Sequence, residues 1–207
     1  MKTKNIIVCL FLLFVAQAVS AQNNAETLVR IMVDQVKSHK NTEMAFSYQI
    51  SPDGKNYSDS EEGHAWLQGN AYKIEMAEQQ SISDGTTIWT YLVDDEEVMV
   101  SDAYEGEDNT PLKLLTSLDK NYVATLTNID TQGNATIELA NPKGQYRRVT
   151  LKANVNKAEI KNLDVYMEDG SKLLVTVDKM KFDQELDEKF FTFDAKKHPN
   201  VDVIDMR

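Results

Sequence analysis

Cysteine is all but missing from this chain. Of 207 residues only Cys9 is one, and it lies inside an apolar stretch near the N-terminus. That stretch, residues 6–19, follows Lys2 and Lys4 and ends at Val19-Ser20-Ala21. A basic start, an apolar centre and a small-residue close describe a cleavable export signal, and the run is short for a membrane span. Residues 1–21 are therefore expected to leave as a signal peptide, with residues 22–207 forming one domain. Cys9 follows Val8 and comes too early in the run to be a lipid-bearing cysteine. The exported part then has no cysteine, so no disulfide can form and packing alone must stabilise the fold.

Catalytic and metal-binding patterns are missing too. The three histidines, His39, His64 and His198, lie far apart and in no metal-ligand spacing. No nucleophile elbow, phosphate loop or dinucleotide fingerprint occurs. No catalytic residue, metal or cofactor is expected. Basic excess is also lacking: 33 acidic residues against 22 basic leave a net charge of −11, which disfavours nucleic acid and anionic membrane surfaces as partners. Acidic clusters at residues 94–97 and at Asp102, Glu105, Glu107 and Asp108 lack the spacing of a calcium loop and read as solvated turns. No Pro- or Gly-rich linker and no repeat divides the chain.

What is present is periodicity. Ala25, Leu28, Val29, Met32 and Val36 recur at helical spacing, with Asn24 able to cap the start. Met44, Phe46, Tyr48 and Ile50 then alternate as on one face of a strand. Short strands follow. Gly69-Asn70, Asp84-Gly85 and Asp169-Gly170 mark hairpins. Thr110-Pro111 opens a short helix with Leu112, Leu114, Leu115 and Leu118 on it. About ten antiparallel strands with two or three helices is the simplest account. The conspicuous constellation is apolar: Met44, Phe46, Tyr48, Trp66, Tyr72, Ile74, Met76, Trp89 and Tyr91 on successive strands. Alternation does not separate a plain core from the lining of a cavity between a curved sheet and overlying helices.

Several segments, in order, resemble the LolA family of periplasmic lipoprotein carriers. They are an amphipathic first helix, Ala45-Phe46, Gly63-His64-Ala65-Trp66-Leu67, Ser83-Asp84-Gly85 to Trp89-Thr90-Tyr91, Asn109-Thr110-Pro111-Leu112, Phe191-Thr192-Phe193 and Val201-Asp202-Val203. Leu67-Gln68-Gly69-Asn70-Ala71-Tyr72 and the ending Val203 to Arg207 look most like the Bacteroidetes branch. The resemblance implies a mainly β fold: an incomplete, strongly curved antiparallel β-barrel, or half-barrel, with a few helices as a lid over an apolar cavity. It implies a monomeric periplasmic carrier that receives acylated lipoproteins from an inner-membrane Lol-type ABC transporter. Delivery would be to an outer-membrane acceptor, or to the membrane directly. The acyl-chain cavity would be lined by Phe46, Trp66, Tyr72, Ile74, Met76, Trp89 and Tyr91, and the lid would use Leu28, Met32, Leu112, Leu115 and Leu118. Other members carry an arginine after the tryptophan-bearing strand that is thought to hold the lid; here Gln68-Gly69-Asn70 stands in its place, so any latch must use other groups. A related half-barrel that binds other lipids, or senses mislocalised lipoproteins, is the alternative; an exported hydrolase is a weaker third.

Overall fold

The computed structural model describes residues 24–103, 122–143 and 146–207. The expected signal segment, Cys9 and the leucine-bearing helix with Leu112, Leu115 and Leu118 lie outside the described residues.

Helix α1 spans residues 24–37. Its apolar positions fall on one stripe, as their spacing dictates: Ala25, Val29, Met32, Val33 and Val36 are buried, Leu28 lies at the margin, and Ile31 faces outward. Twelve strands follow: β1 Thr42–Ser51, β2 Glu61–Gln68, β3 Ala71–Glu75, β4 Gln79–Ser83, β5 Thr87–Leu92, β6 Glu97–Asp102, β7 Val123–Ile129, β8 Asn134–Ala140, β9 Tyr146–Asn154, β10 Glu159–Met167, β11 Lys172–Phe182 and β12 Asp202–Asp205. They form one open sheet in the order β12-β6-β5-β4-β3-β2-β1-β11-β10-β9-β8-β7. Strand β1 is the seam: β2 to β6 meander away on one side, while β11 back to β7 occupy the other.

The sheet is strongly curved. Side chains of β1–β3 and of β7–β11 share one core cluster with α1, although β3 and β8 are far apart in the strand order. Bulges help it bend: the pairing register slips at Ala45/Phe46 in β1, at Ile160/Asn162 in β10 and at Leu126/Asn128 in β7. Gly63 in β2 serves the same end. It lies directly opposite Phe46, and a Cβ there would stand 2.5 Å from the Phe46 Cζ. The ring covers the bare backbone.

Two expectations need correction. The sequence predicts only antiparallel strands, yet Asp202–Asp205 near the C-terminus pairs with β6 in parallel, so the sheet is not wholly antiparallel. Four residues with exposed side chains carry too little pattern to be read as a strand. The alternation places Ile50 with Met44, Phe46 and Tyr48, but it is 41% exposed while Ser51 is buried.

Candidate functional site

Hairpin register decides which face each residue occupies. The turn at Gly69-Asn70 pairs Leu67 with Tyr72 and Trp66 with Lys73. Directly paired residues share a face, and neighbours along a strand alternate. Pairing then carries two sets across the sheet. Phe46 faces Gly63, Ala65 faces Ile74, and Tyr72 faces Ser83, all on the concave side with α1. Trp66 joins Lys73, Ile82 and Trp89, and Tyr91 joins Gln80, all on the convex side.

The candidate cavity residues therefore divide. Phe46, Tyr72 and Ile74 are buried in the concave core, with Met76 half-buried at its margin. Met44 and Tyr48 join them there, as does Met32 of α1, with Leu28 packed against the cluster. Trp66, Trp89 and Tyr91 do not face this interior, which corrects their assignment to one lining. Phe190 packs edge-on to Trp66 with ring centroids 5.3 Å apart, and Phe193 and His198 lie 5.5 and 4.6 Å from Tyr91. These rings belong to a segment that follows β11 and crosses the outer face. The concave residues of β5 and β6 are instead Ile88, Leu92 and Met99, each half-buried. Sequence reasoning misses them because Trp89 and Tyr91 are the more conspicuous residue types. Counting outward from the two-residue turn separates the sets.

Two polar clusters bound the concave side. The Tyr48 hydroxyl donates to Glu61 Oε2 at 2.5 Å; burial first, then this bond, pushes the phenol up to about 12. At the end of α1, Asp183 Oδ2 lies 2.8 Å from His39 Nδ1, and Asp183 Oδ1 accepts from the Lys40 N–H at 2.7 Å. His39 Nε2 is 3.4 Å from the Gln35 amide nitrogen. The ring stacks on Phe182 at 4.0 Å. The His39 bond first, and then the Lys40 amide, hold the Asp183 carboxyl below the usual carboxylate range. This clasp fixes the C-terminal end of α1 to the end of β11.

Among the described residues no three His, Cys, Asp or Glu gather as a metal site, and no helix is long and apolar enough to cross a membrane. What the concave face presents is apolar surface with a helix laid in it.

The family model described as "Outer membrane lipoprotein carrier protein LolA" matches residues 40–194. No curated protein matches the chain. Among solved structures, an uncharacterized conserved protein from Thermus thermophilus shares the fold at 10% identity, with a TM-score of 0.55 over 84% of this chain and 96% of that one. A LolA superfamily protein from Nitrosomonas europaea aligns at 11% identity and TM-score 0.43, over 82% and 97% of the two chains. LprF from Mycobacterium bovis aligns at 10% identity and TM-score 0.45, over 80% and 97%.

Proposed function

The chain belongs to the LolA family of outer membrane lipoprotein carrier proteins, and we propose that it is a non-enzymatic periplasmic carrier that shields the acyl chains of lipoproteins between the inner and the outer membrane. Residues 22–207 act as one carrier domain after loss of the signal. An inner-membrane Lol-type ABC transporter supplies the cargo, and an outer-membrane acceptor or the membrane itself receives it. The observation that supports this reading is the concave face: an apolar interior of Phe46, Tyr72 and Ile74 packed with α1, half-buried Met76 at its margin, and half-buried Ile88, Leu92 and Met99 on the same face of the sheet.

The magnitudes are compatible with exchange between helix and cargo. Burying one Val or Met side chain is worth roughly 1.5–3 kcal/mol, so the stripe Val29, Met32, Val33 and Val36 holds α1 down by roughly 6–12 kcal/mol as an upper bound. An acyl chain gains roughly 0.8 kcal/mol per buried CH₂, about 12 kcal/mol for a chain of some fifteen methylenes. One such chain can therefore displace the helix stripe from the concave face. No covalent step is needed; direction comes from affinity differences between donor, carrier and acceptor.

Native mass spectrometry with a triacylated lipopeptide and its deacylated control tests the proposal. A one-to-one complex with the acylated form alone is expected. Equal binding of both forms, or of neither, overturns it.

A further inference from the structure

The convex face carries a second feature that acyl-chain shielding leaves unused. Residues 187–198 form a strap across β3–β5, seated by the rings already described and by His198, which stacks on Phe193 at 5.1 Å. Between strap and sheet runs a groove of about 630 Å³. Its lining includes Ile82 and Phe190, the lysines Lys73, Lys189, Lys196 and Lys197, and the acids Asp187 and Asp194. In a chain of net charge −11 this lining holds four lysines against two carboxylates.

The two acids that share the lining, Asp187 and Asp194, are engaged by the strap's own amides. Asp187 Oδ1 accepts the Lys189 N–H at 2.8 Å, and Asp194 Oδ1 accepts the Lys196 N–H at 3.1 Å, so both carboxylates serve the turns of the strap. Lys73 pairs with Glu75 at 2.7 Å and lies 5.2 Å from the centre of the Phe190 ring. No ion pair joins Lys189, Lys196 or Lys197 to a carboxylate among the described residues. Lys189, Lys196 and Lys197 thus line one concavity on a strap shaped by successive turns, Phe190 N–H to the Asp187 carbonyl, Lys197 N–H to that of Asp194 and His198 N–H to that of Ala195, and with Lys73 they outnumber the two carboxylates of the same lining.

We propose that this groove binds a phosphate-bearing ligand, with Lys189, Lys196 and Lys197 taking the phosphate oxygens and the Phe190 ring and Ile82 meeting an organic part. Lysine holds phosphate as a point charge, and charge-assisted contacts of this kind are among the stronger hydrogen bonds. The acid elsewhere on the surface is largely screened beyond about 8 Å at physiological salt, so the local balance of four lysines and two carboxylates decides. Phosphate as a lipid headgroup and phosphate on a soluble molecule offer the same oxygens.

Amide NMR of the full folded chain tests the site, with inorganic phosphate as the probe and sodium chloride of matched ionic strength as the control. Phosphate is expected to shift the signals of Lys189, Lys196, Lys197 and His198 along a saturating curve. Lys196→Ala with Lys197→Ala is expected to weaken that binding about tenfold, two charge-assisted contacts being lost from a solvent-screened site. Lys189→Ala provides a second variant, and both alter exposed side chains that the fold does not need. Co-sedimentation with phosphatidylglycerol against phosphatidylcholine vesicles names the source: binding to the anionic vesicles alone assigns a lipid headgroup, whereas phosphate binding without vesicle binding assigns a soluble phosphate. Absence of shifts beyond the chloride control, or the same affinity in the variants, overturns the proposal. No acylated peptide enters these measurements, so their failure is distinct from failure of the carrier reading.

Discussion

At Tyr72 and Met76 the same substitution asks different questions. Tyr72 is 3% exposed within the concave core, so Tyr72→Asp buries a carboxylate and is expected to lower stability by about 4 kcal/mol or more. Lost binding in that variant would mean only lost fold. Met76 sits half-buried at the margin, where an aspartate can reach water. Met76→Asp is expected to keep the far-ultraviolet spectrum and thermal midpoint within a few degrees while abolishing the complex with a triacylated peptide. A variant that binds normally would remove Met76 from the acyl site. Gly63 gives a packing test. Gly63→Ala drives a methyl into the Phe46 ring and is expected to cost about 1–3 kcal/mol, read by denaturant unfolding. Phe46→Leu in the same chain should recover part of that loss, since the two residues face each other and do not act additively.

In the proposed carrier α1 is the element that must lift, and the clasp of His39, Lys40 and Asp183 fixes one of its ends. Asp183→Ala removes both bonds and leaves an alanine at φ 55, a left-handed conformation that suits it poorly. Hydrogen exchange in residues 24–37 is expected to quicken about tenfold, with β9 unchanged. The pH dependence follows from the depressed Asp183 carboxyl. A group with a lowered folded value contributes stability above its unfolded value, and that stability is lost as pH falls through the folded one. The difference in thermal midpoint between the natural chain and Asp183→Asn should thus shrink as pH falls below about 4. A constant difference down to about pH 2 would detach the carboxylate charge from the clasp.

For the whole molecule, the two faces of the sheet predict what a spectroscopic probe can see if the concave one takes the cargo as proposed. Both tryptophans, Trp66 and Trp89, share the convex face. Loading an acyl chain into the concave interior is expected to leave tryptophan emission within a few nanometres of its unloaded maximum, whereas Phe190→Ala, which uncovers Trp66, should shift it to the red. A large shift on loading would place the acyl chain on the strap side. The sheet also ends in a short edge. Strand β12 exposes Val203 at 51% and Met206 follows it at 59%, so substitutions to lysine there should change stability by no more than about 0.5 kcal/mol.

Much was determined by local pattern. The helical stripe Ala25, Val29, Met32 and Val36, the alternation through Met44, Phe46 and Tyr48, and the turns at Gly69-Asn70 and Asp84-Gly85 specify their elements because period and turn chemistry act over a few residues. Even the separation of Trp66 from Tyr72 was legible, since a two-residue turn sets the register of both strands. The rest was decided by contacts distant in sequence. Strand β11 lies beside β1, β12 joins β6 in parallel, and Asp183 meets His39 across 144 positions. No local period encodes such pairings. They depend on how the whole curved sheet buries its apolar faces: one beneath α1, and part of the other beneath the strap that gathers three lysines on an acidic protein.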